Sequence, residues 1–366
     1  MKILICNERF LFRFGADRVL ILLGKGLKEL GHTVTMIANR YDPDIVRSFA
    51  SQVIDCPVEH AAYLDLNEYT SDWLRNNWNR LFLPGNTPDV IIVGGWPFVS
   101  ALAFFKEVCP NVVFLDQGVV PTDGYPEATK ITLEKLRALR RQHLGFADLI
   151  IGVSRFIVDS QSRPESGGVP VRSILNGADH IEMRVWPADR LRQQSPPRSS
   201  LQLVRSLKQQ GRKVLLCLGR WEPGCYKNSQ AALEMMETLN AASPGCTLLV
   251  LAEVHDVDVP ANLKHAILPI GFPDDSELVE IMKAADLGMS FSLWEGFNLP
   301  LAEMQWLGRP ALVFNLGAHS EVVAHPWYLC RDIHEMSTKA QELLVRRGPD
   351  SATISNALRK FRSYFR

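Results

Sequence analysis

Short apolar runs alternate with segments of helical period along most of this chain. Residues 3–6 form the first run. Leu20, Leu23, Leu27 and Leu30 then recur at the spacing of one helical face before Gly31 ends it. Residues 33–38 predict the next strand, and the runs at 90–93, 112–115 and 149–153 predict further buried strands. Continuous apolar runs separated by helices suit parallel strands with crossover helices, because both faces of such a sheet are covered.

The pattern lapses over residues 184–213, which are rich in Arg, Ser, Gln and Pro and include Ser195-Pro196-Pro197-Arg198-Ser199-Ser200. This composition predicts an exposed connector with one polar helix. The alternation then restarts, with strands at 214–218, 247–251, 266–268, 287–291 and 311–314 and helices at 230–239, 275–284 and 300–307. Two similar α/β domains follow, residues 1–183 and 214–350, with a last helix within 351–366 carrying Leu358, Phe361 and Phe365 at helical spacing. Two open sheets facing each other would enclose a cleft, with ligands beyond the carboxyl ends of the strands.

Composition narrows the function classes. A length of 366 residues accommodates two domains, and 46% hydrophobic with 22% charged residues is the balance of a folded soluble chain. Forty Lys and Arg offset forty Asp and Glu, so no whole-protein attraction to nucleic acid or to an anionic membrane is expected. Peripheral membrane contact would then rest on a local patch. Seven cysteines are scattered singly without a Cys-x-x-Cys pair, which predicts neither a zinc framework nor a disulfide scaffold. Residues 1–6 are too short an apolar run for a secretory leader, and no uninterrupted apolar stretch of about 18 residues occurs. The expectation is a cytoplasmic protein in a reducing compartment.

The densest cluster of chemistry-bearing residues is Trp294-Glu295-Gly296-Phe297-Asn298-Leu299-Pro300-Leu301-Ala302-Glu303, which follows a predicted strand and opens a predicted helix. Gly296 permits a tight turn and Pro300 suits the start of a helix. Such a loop aims backbone N–H groups and the positive helix end at one spot, where an anion is favoured. Glu295 and Glu303 could each hold a different part of a polyhydroxylated ligand. Equally, Glu303 could complement the helix dipole and Glu295 cap the turn. A second element ends the strand at 214–218 with Gly219-Arg220-Trp221-Glu222-Pro223-Gly224-Cys225-Tyr226-Lys227-Asn228. Arg220 and Lys227 at the same sheet edge would suit a diphosphate, whose departure they would assist. Taken singly, each is an ordinary surface charge.

These residues carry a resemblance. Gly219-Arg220 with Lys227-Asn228, and Glu295 with Glu303 inside Glu-Gly-Phe-Asn-Leu-Pro-Leu-Ala-Glu, resemble the retaining glycosyltransferase family 4 of GT-B fold. Asn176-Gly177-Ala178-Asp179, Ala147-Asp148 with Val153-Ser154, Gly271-Phe272 with Ala285-Asp286, and Gly317 with Glu321 are similar to other segments of that family. The resemblance implies that Arg220 and Lys227 bind the donor diphosphate, that Glu295 meets hydroxyls of the donor sugar and that Glu303 meets the ribose. The amides of Phe297, Asn298 and Leu299 would face sugar and phosphates. It further implies that no metal or cofactor is needed beyond a nucleotide-diphosphate-sugar donor, that the acceptor is a glycan or lipid-linked saccharide, and that the last helix crosses back to the first domain.

Two positions depart from the family pattern. The loop Phe12-Arg13-Phe14-Gly15-Ala16-Asp17 has one glycine where the family often has a pair. Gly15 either lets the backbone approach the donor or is an ordinary turn residue, and the loop is not a dinucleotide fingerprint. After the strand at 112–115 comes Asp116-Gln117-Gly118, where many members carry a His beside the reacting sugar. Asp116 is open to two readings, a catalytic-site acceptor for a sugar hydroxyl or a turn-initiating residue. His143 and His180 read as solvated or packing residues. The function expected is retaining sugar transfer. The alternative is a catalytically silent GT-B protein that binds nucleotide-sugar or a partner enzyme. A nucleotide-sugar epimerase is disfavoured by Glu295 and Glu303.

Overall fold

A computed structural model describes residues 1–12, 14–57, 66–181, 199–242, 245–345 and 351–365. Arg13 and the stretch 184–198 of the predicted connector lie outside the described residues. The chain divides into two compact units, one of Met1–Thr122 with Pro126–Asn176 and one of Asp123–Tyr125 with Gly177–Arg366.

The first unit is a seven-stranded parallel sheet. Its strands are β1 (Lys2–Cys6), β2 (Thr33–Ala38), β3 (Gln52–Asp55), β4 (Val90–Val93), β5 (Val112–Asp116), β6 (Leu149–Gly152) and β7 (Val171–Ser173), in the order β3-β2-β1-β4-β5-β6-β7. Leu4, Cys6, Ile91, Val93, Val112, Phe114 and Ile150 fill one core with Trp78, Phe104 and Phe105. Trp78 is therefore a core residue, edge-on to Phe104 at 5.4 Å between ring centroids. Helix α1 (Gly15–Glu29) forms where the leucine spacing predicted, but its buried face is Asp17, Leu20, Ile21 and Gly24: Leu23 and Leu27 are half-buried and Leu30, the C-cap, is exposed.

The second unit has six parallel strands, β8 (Lys213–Arg220), β9 (Cys246–Leu251), β10 (Ile267–Pro269), β11 (Leu287–Ser290), β12 (Ala311–Phe314) and β13 (Leu329–Cys330), in the order β10-β9-β8-β11-β12-β13. Both sheets thus have the doubly wound order in which the first strand of the unit lies beside its fourth. The second unit has its own core, from Leu215, Leu248, Met289 and Leu312 to Tyr328 and Met336. The helix expected in the connector is α2 (Ser199–Gln209). Its Leu201, Val204 and Leu207 are buried, and the Leu201 amide donates to Glu277 at 2.9 Å. The last helix, Ser351–Tyr364, packs on the helix Leu299–Trp306, and the Ala178 amide donates to the Phe365 carbonyl at 2.9 Å. The edge strands β3, β7 and β13 were not anticipated, being short and weakly patterned.

One buried carboxyl in the first unit yields a pH prediction. Asp17 is 2% exposed, accepts from the Leu11 amide and Asn7 Nδ2 at 3.4 Å each, and lies 3.4 Å from Arg9 Nε. Burial pushes its carboxyl up to about 6 despite those partners. A folded-state acid raised above its unfolded value binds its proton more tightly in the fold. Its stabilising contribution is therefore present below about pH 4 and is lost as pH rises through about 6. Asp17→Asn should flatten that slope and stabilise the fold at pH 7 by on the order of 2 kcal/mol. Melting temperatures of both proteins between pH 4 and 7 check this, and parallel profiles would show that Asp17 does not titrate there.

Candidate functional site

The second sheet places two loops side by side. Strands β8 and β11 are neighbours at the point where the strand order reverses, the position at which ligands of open α/β sheets bind beyond the carboxyl ends. The register of β8 against β9 shifts between Leu216 and Arg220, and Gly219 there has φ 149°. Arg220 ends the strand exposed. The loop that follows is folded on itself: the Glu222 amide donates to Ser229 Oγ at 2.8 Å and the Gly224 amide to Gln230 Oε1 at 2.9 Å.

The loop after β11 is tied to it. The Leu293 amide donates to the Tyr226 carbonyl at 2.7 Å, and Asn228 Nδ2 donates to the Phe291 carbonyl at 3.3 Å. Lys227 Nζ donates to Glu295 Oε1 at 2.6 Å. Two residues 68 positions apart, named separately from the sequence, thus meet in one ion pair. Burial alone would lower the Lys227 ammonium, but the Glu295 carboxylate outweighs it and holds the group above its ordinary value, so the cation persists. Aromatic rings flank the pair. Tyr226 lies under Lys227 Nζ at 4.9 Å, edge-on to Trp294 at 5.7 Å and tilted against Tyr125 at 6.4 Å. Burial pushes the Tyr226 phenol up to about 12, so it stays protonated at neutral pH.

Helix Leu299–Trp306 starts where the motif predicted. Asn298 is its N-cap, with Oδ1 accepting from the Leu301 amide at 3.2 Å and Pro300 in the first turn. The cap is therefore Asn298, not Glu295. Glu303 stands in the second turn, past the reach of the helix-end dipole, so that reading of it is also set aside. Phe297 and Leu299 are buried beside it. Glu303 is 3% exposed, and its Oε1 lies 2.8 Å from Nε2 of His180, itself 2% exposed. His180 is a correction to the sequence reading, since it is neither solvated nor simply packed. A pairing across 123 positions leaves no local signal. Among the described residues no group of three His, Cys, Asp or Glu side chains could hold a metal ion, and no helix is long and apolar enough to cross a membrane.

In the first unit Gly15 is the exposed first residue of α1. Asp116, expected as a catalytic-site acceptor, is corrected. Its carboxylate is fully buried and accepts two bonds from Arg140, at 2.7 Å each, one from Ser162 Oγ at 2.7 Å and one from the Gly118 amide at 2.8 Å. Burial would raise this carboxyl, but Arg140 and the two further donors hold it below its ordinary value. Four donors saturate both oxygens, leaving no lone pair aimed at a sugar. The Gly118 contact is the turn geometry that the second reading of Asp116 described.

Two doubly wound parallel sheets in one chain, the second carrying a cation–carboxylate pair between the loops of its central strands, are the architecture of the GT-B fold. Family models agree. "Glycosyltransferase Family 4" matches residues 15–180 and "Glycosyl transferases group 1" matches residues 212–346. The chain belongs to this glycosyltransferase family and is a glycosyltransferase. No curated protein matches it. Among solved structures it is similar to HepE of Anabaena in complex with UDP and glucose, at 16% identity and TM-score 0.69, covering 100% of this chain and 95% of that one. It is likewise similar to sucrose-phosphate synthase of Thermosynechococcus elongatus, at 16% identity and TM-score 0.68, covering 100% and 94%. A third is WaaG, a glycosyltransferase involved in lipopolysaccharide biosynthesis, at 16% identity and TM-score 0.62, covering 99% and 94%.

Proposed function

We propose that this enzyme transfers a sugar, with retention of anomeric configuration, from a nucleotide-diphosphate-sugar to a glycan or lipid-linked saccharide. The observation that carries the reading is the Lys227–Glu295 pair, which joins the loops of two adjacent strands at the switch point of the second unit. Lys227 and Arg220 bind the diphosphate as fixed cations. Glu295, held beside them, accepts from hydroxyls of the donor sugar. Glu303, steadied by His180, accepts from the ribose, and the amides of Phe297, Asn298 and Leu299 face sugar and phosphates.

The chemistry follows from that placement. The bond from the anomeric carbon to the β-phosphate oxygen breaks while the acceptor oxygen bonds the same carbon on the same face. The acceptor proton passes to the departing phosphate, whose growing charge Arg220 and Lys227 stabilise. No side chain is needed as base, which agrees with the enclosure of Asp116 by Arg140 and Ser162. Lys and Arg take the place a metal ion would fill. Support for the donor class comes from HepE, which was solved with UDP and glucose, and for a lipid-linked acceptor from WaaG.

Purified protein screened against nucleotide-sugars, beginning with UDP-glucose, should slowly hydrolyse one of them. Glu295→Ala should lower that turnover by about 10²- to 10³-fold. Binding without turnover across a broad panel of donors and acceptors would favour the catalytically silent alternative. Failure of every nucleotide to raise the melting temperature would remove both.

A further inference from the structure

The loop that carries Glu295 ends in a residue whose backbone needs holding. Asn298 has φ 73° and ψ 72°, the left-handed region, and is 5% exposed. An L-residue there is disfavoured. Asn tolerates it better than most because its amide can bond locally. Every polar atom of that amide is engaged. Oδ1 accepts from the Leu301 amide, while Nδ2 donates to Ser290 Oγ at 3.2 Å and to His319 Nε2 at 3.0 Å. Ser290 and His319 are themselves buried, at 1% and 0% exposure.

The direction of these bonds follows from one contact. His319 Nδ1 lies 2.8 Å from the Phe314 carbonyl, which only accepts, so Nδ1 carries the proton and Nε2 offers its lone pair to Asn298. Burial keeps the imidazole below its ordinary range, against the pull of Glu295 and the Phe314 carbonyl, so Nε2 stays an acceptor at neutral pH. The same segment grips Glu295 directly. The Ala318 amide donates to the Glu295 carbonyl at 3.0 Å, and a Cβ on Gly317, at φ 58°, would come within 2.7 Å of that oxygen. Strand β11, through Ser290, and the turn after β12, through His319, thus clamp the loop from two sides.

We infer that His319 and Ser290 are positioning residues for transfer: by holding Asn298 left-handed they fix the course of residues 295–298, and with it the aim of the Glu295 carboxylate and the loop amides. The inference rests on the proposed role of Glu295 toward the donor sugar. A merely structural role is the competing account, and glycine separates the two. Removing the imidazole leaves one N–H of the buried Asn298 amide without its acceptor and loosens the hold on its left-handed backbone. Glycine at 298 has no amide to strand and adopts φ > 0 without a clamp.

The test compares wild type, His319→Leu and the double variant His319→Leu/Asn298→Gly. His319→Leu should lower kcat for the accepted nucleotide-sugar on the order of 10- to 100-fold, the cost of a misaimed group, with KM moving much less. The double variant should recover most of that loss. Crystal structures should show residue 298 out of the left-handed region in the single variant and back in it in the double. If His319→Leu does not fold, Ser290→Ala, which removes one of the two acceptors, should show the same kcat loss to a smaller degree. Lowered melting temperature with unchanged kcat, or failure of glycine to rescue, overturns the inference. If wild type turns over no donor, the functional reading fails. The crystal structures then decide the clamp alone, and an unmoved Asn298 in His319→Leu refutes it.

Discussion

Lys227→Ala is expected to weaken binding of a nucleoside diphosphate by roughly 10- to 100-fold, the worth of one charged hydrogen bond, while leaving the affinity for the nucleoside nearly unchanged. The asymmetry arises from where the charge sits. Lys227 is tied to Glu295 at 2.6 Å in a loop bonded to Leu293 through the Tyr226 carbonyl and to Phe291 through the Asn228 side chain, so the cation is preorganised and little entropy is lost when phosphate arrives. Its loss also leaves Glu295 without its counter-charge beside the incoming phosphate, which repels. Glu295→Ala differs in sign: it frees the ammonium for phosphate, so diphosphate binding should hold or tighten while turnover falls. Calorimetry with UDP and uridine on both variants checks the pair. Equal loss of UDP and uridine in Lys227→Ala would move the phosphate away from this loop.

How far the sequence reveals such a site depends on the range of each interaction. The inner strands were legible because buried parallel strands are continuous apolar runs, as in residues 213–220, where five consecutive side chains are buried. Val171–Ser173 and Leu329–Cys330 were not, since two or three residues carry no periodicity. Residue types at the site were legible through the motif around Glu295 and Glu303 and through Arg220 and Lys227. Their partners were not. Nothing local links Lys227 to Glu295, or His180 to Glu303. Asn298 could be placed at a helix start, but its left-handed backbone and its two buried acceptors come from strand pairing. Asp116 shows the opposite failure. A carboxylate just beyond an apolar run looks available at the sheet edge, and only the helix bringing Arg140 back over that edge shows it to be enclosed.

Arg140→Leu is expected to destabilise the first unit by about 3–5 kcal/mol, the cost of leaving a buried carboxylate without its partner. Arg140 and Asp116 are 3% and 0% exposed, and the guanidinium also donates to Glu165 at 2.7 Å, so one substitution breaks two ion pairs. A unit of this size should lose roughly 2–4 °C of melting temperature per kcal/mol. The sign of the pH dependence identifies the cause. In wild type the Asp116 carboxyl lies below its ordinary value, so its contribution is present above about pH 4 and is lost as pH falls through the lower folded value. Without Arg140 only burial, Ser162 and the Gly118 amide remain, and burial raises the carboxyl. Its ionisation then destabilises the fold, so Arg140→Leu should grow more stable, relative to wild type, as pH falls toward about 4. Asp116→Asn in the same background should recover part of the loss, because an amide carries no charge to strand. Thermal melts of the three proteins between pH 4 and 8 test all of this. If Arg140→Leu melts with wild type at every pH, the Asp116 carboxylate is reaching water, and a role for it in meeting a sugar hydroxyl becomes tenable again.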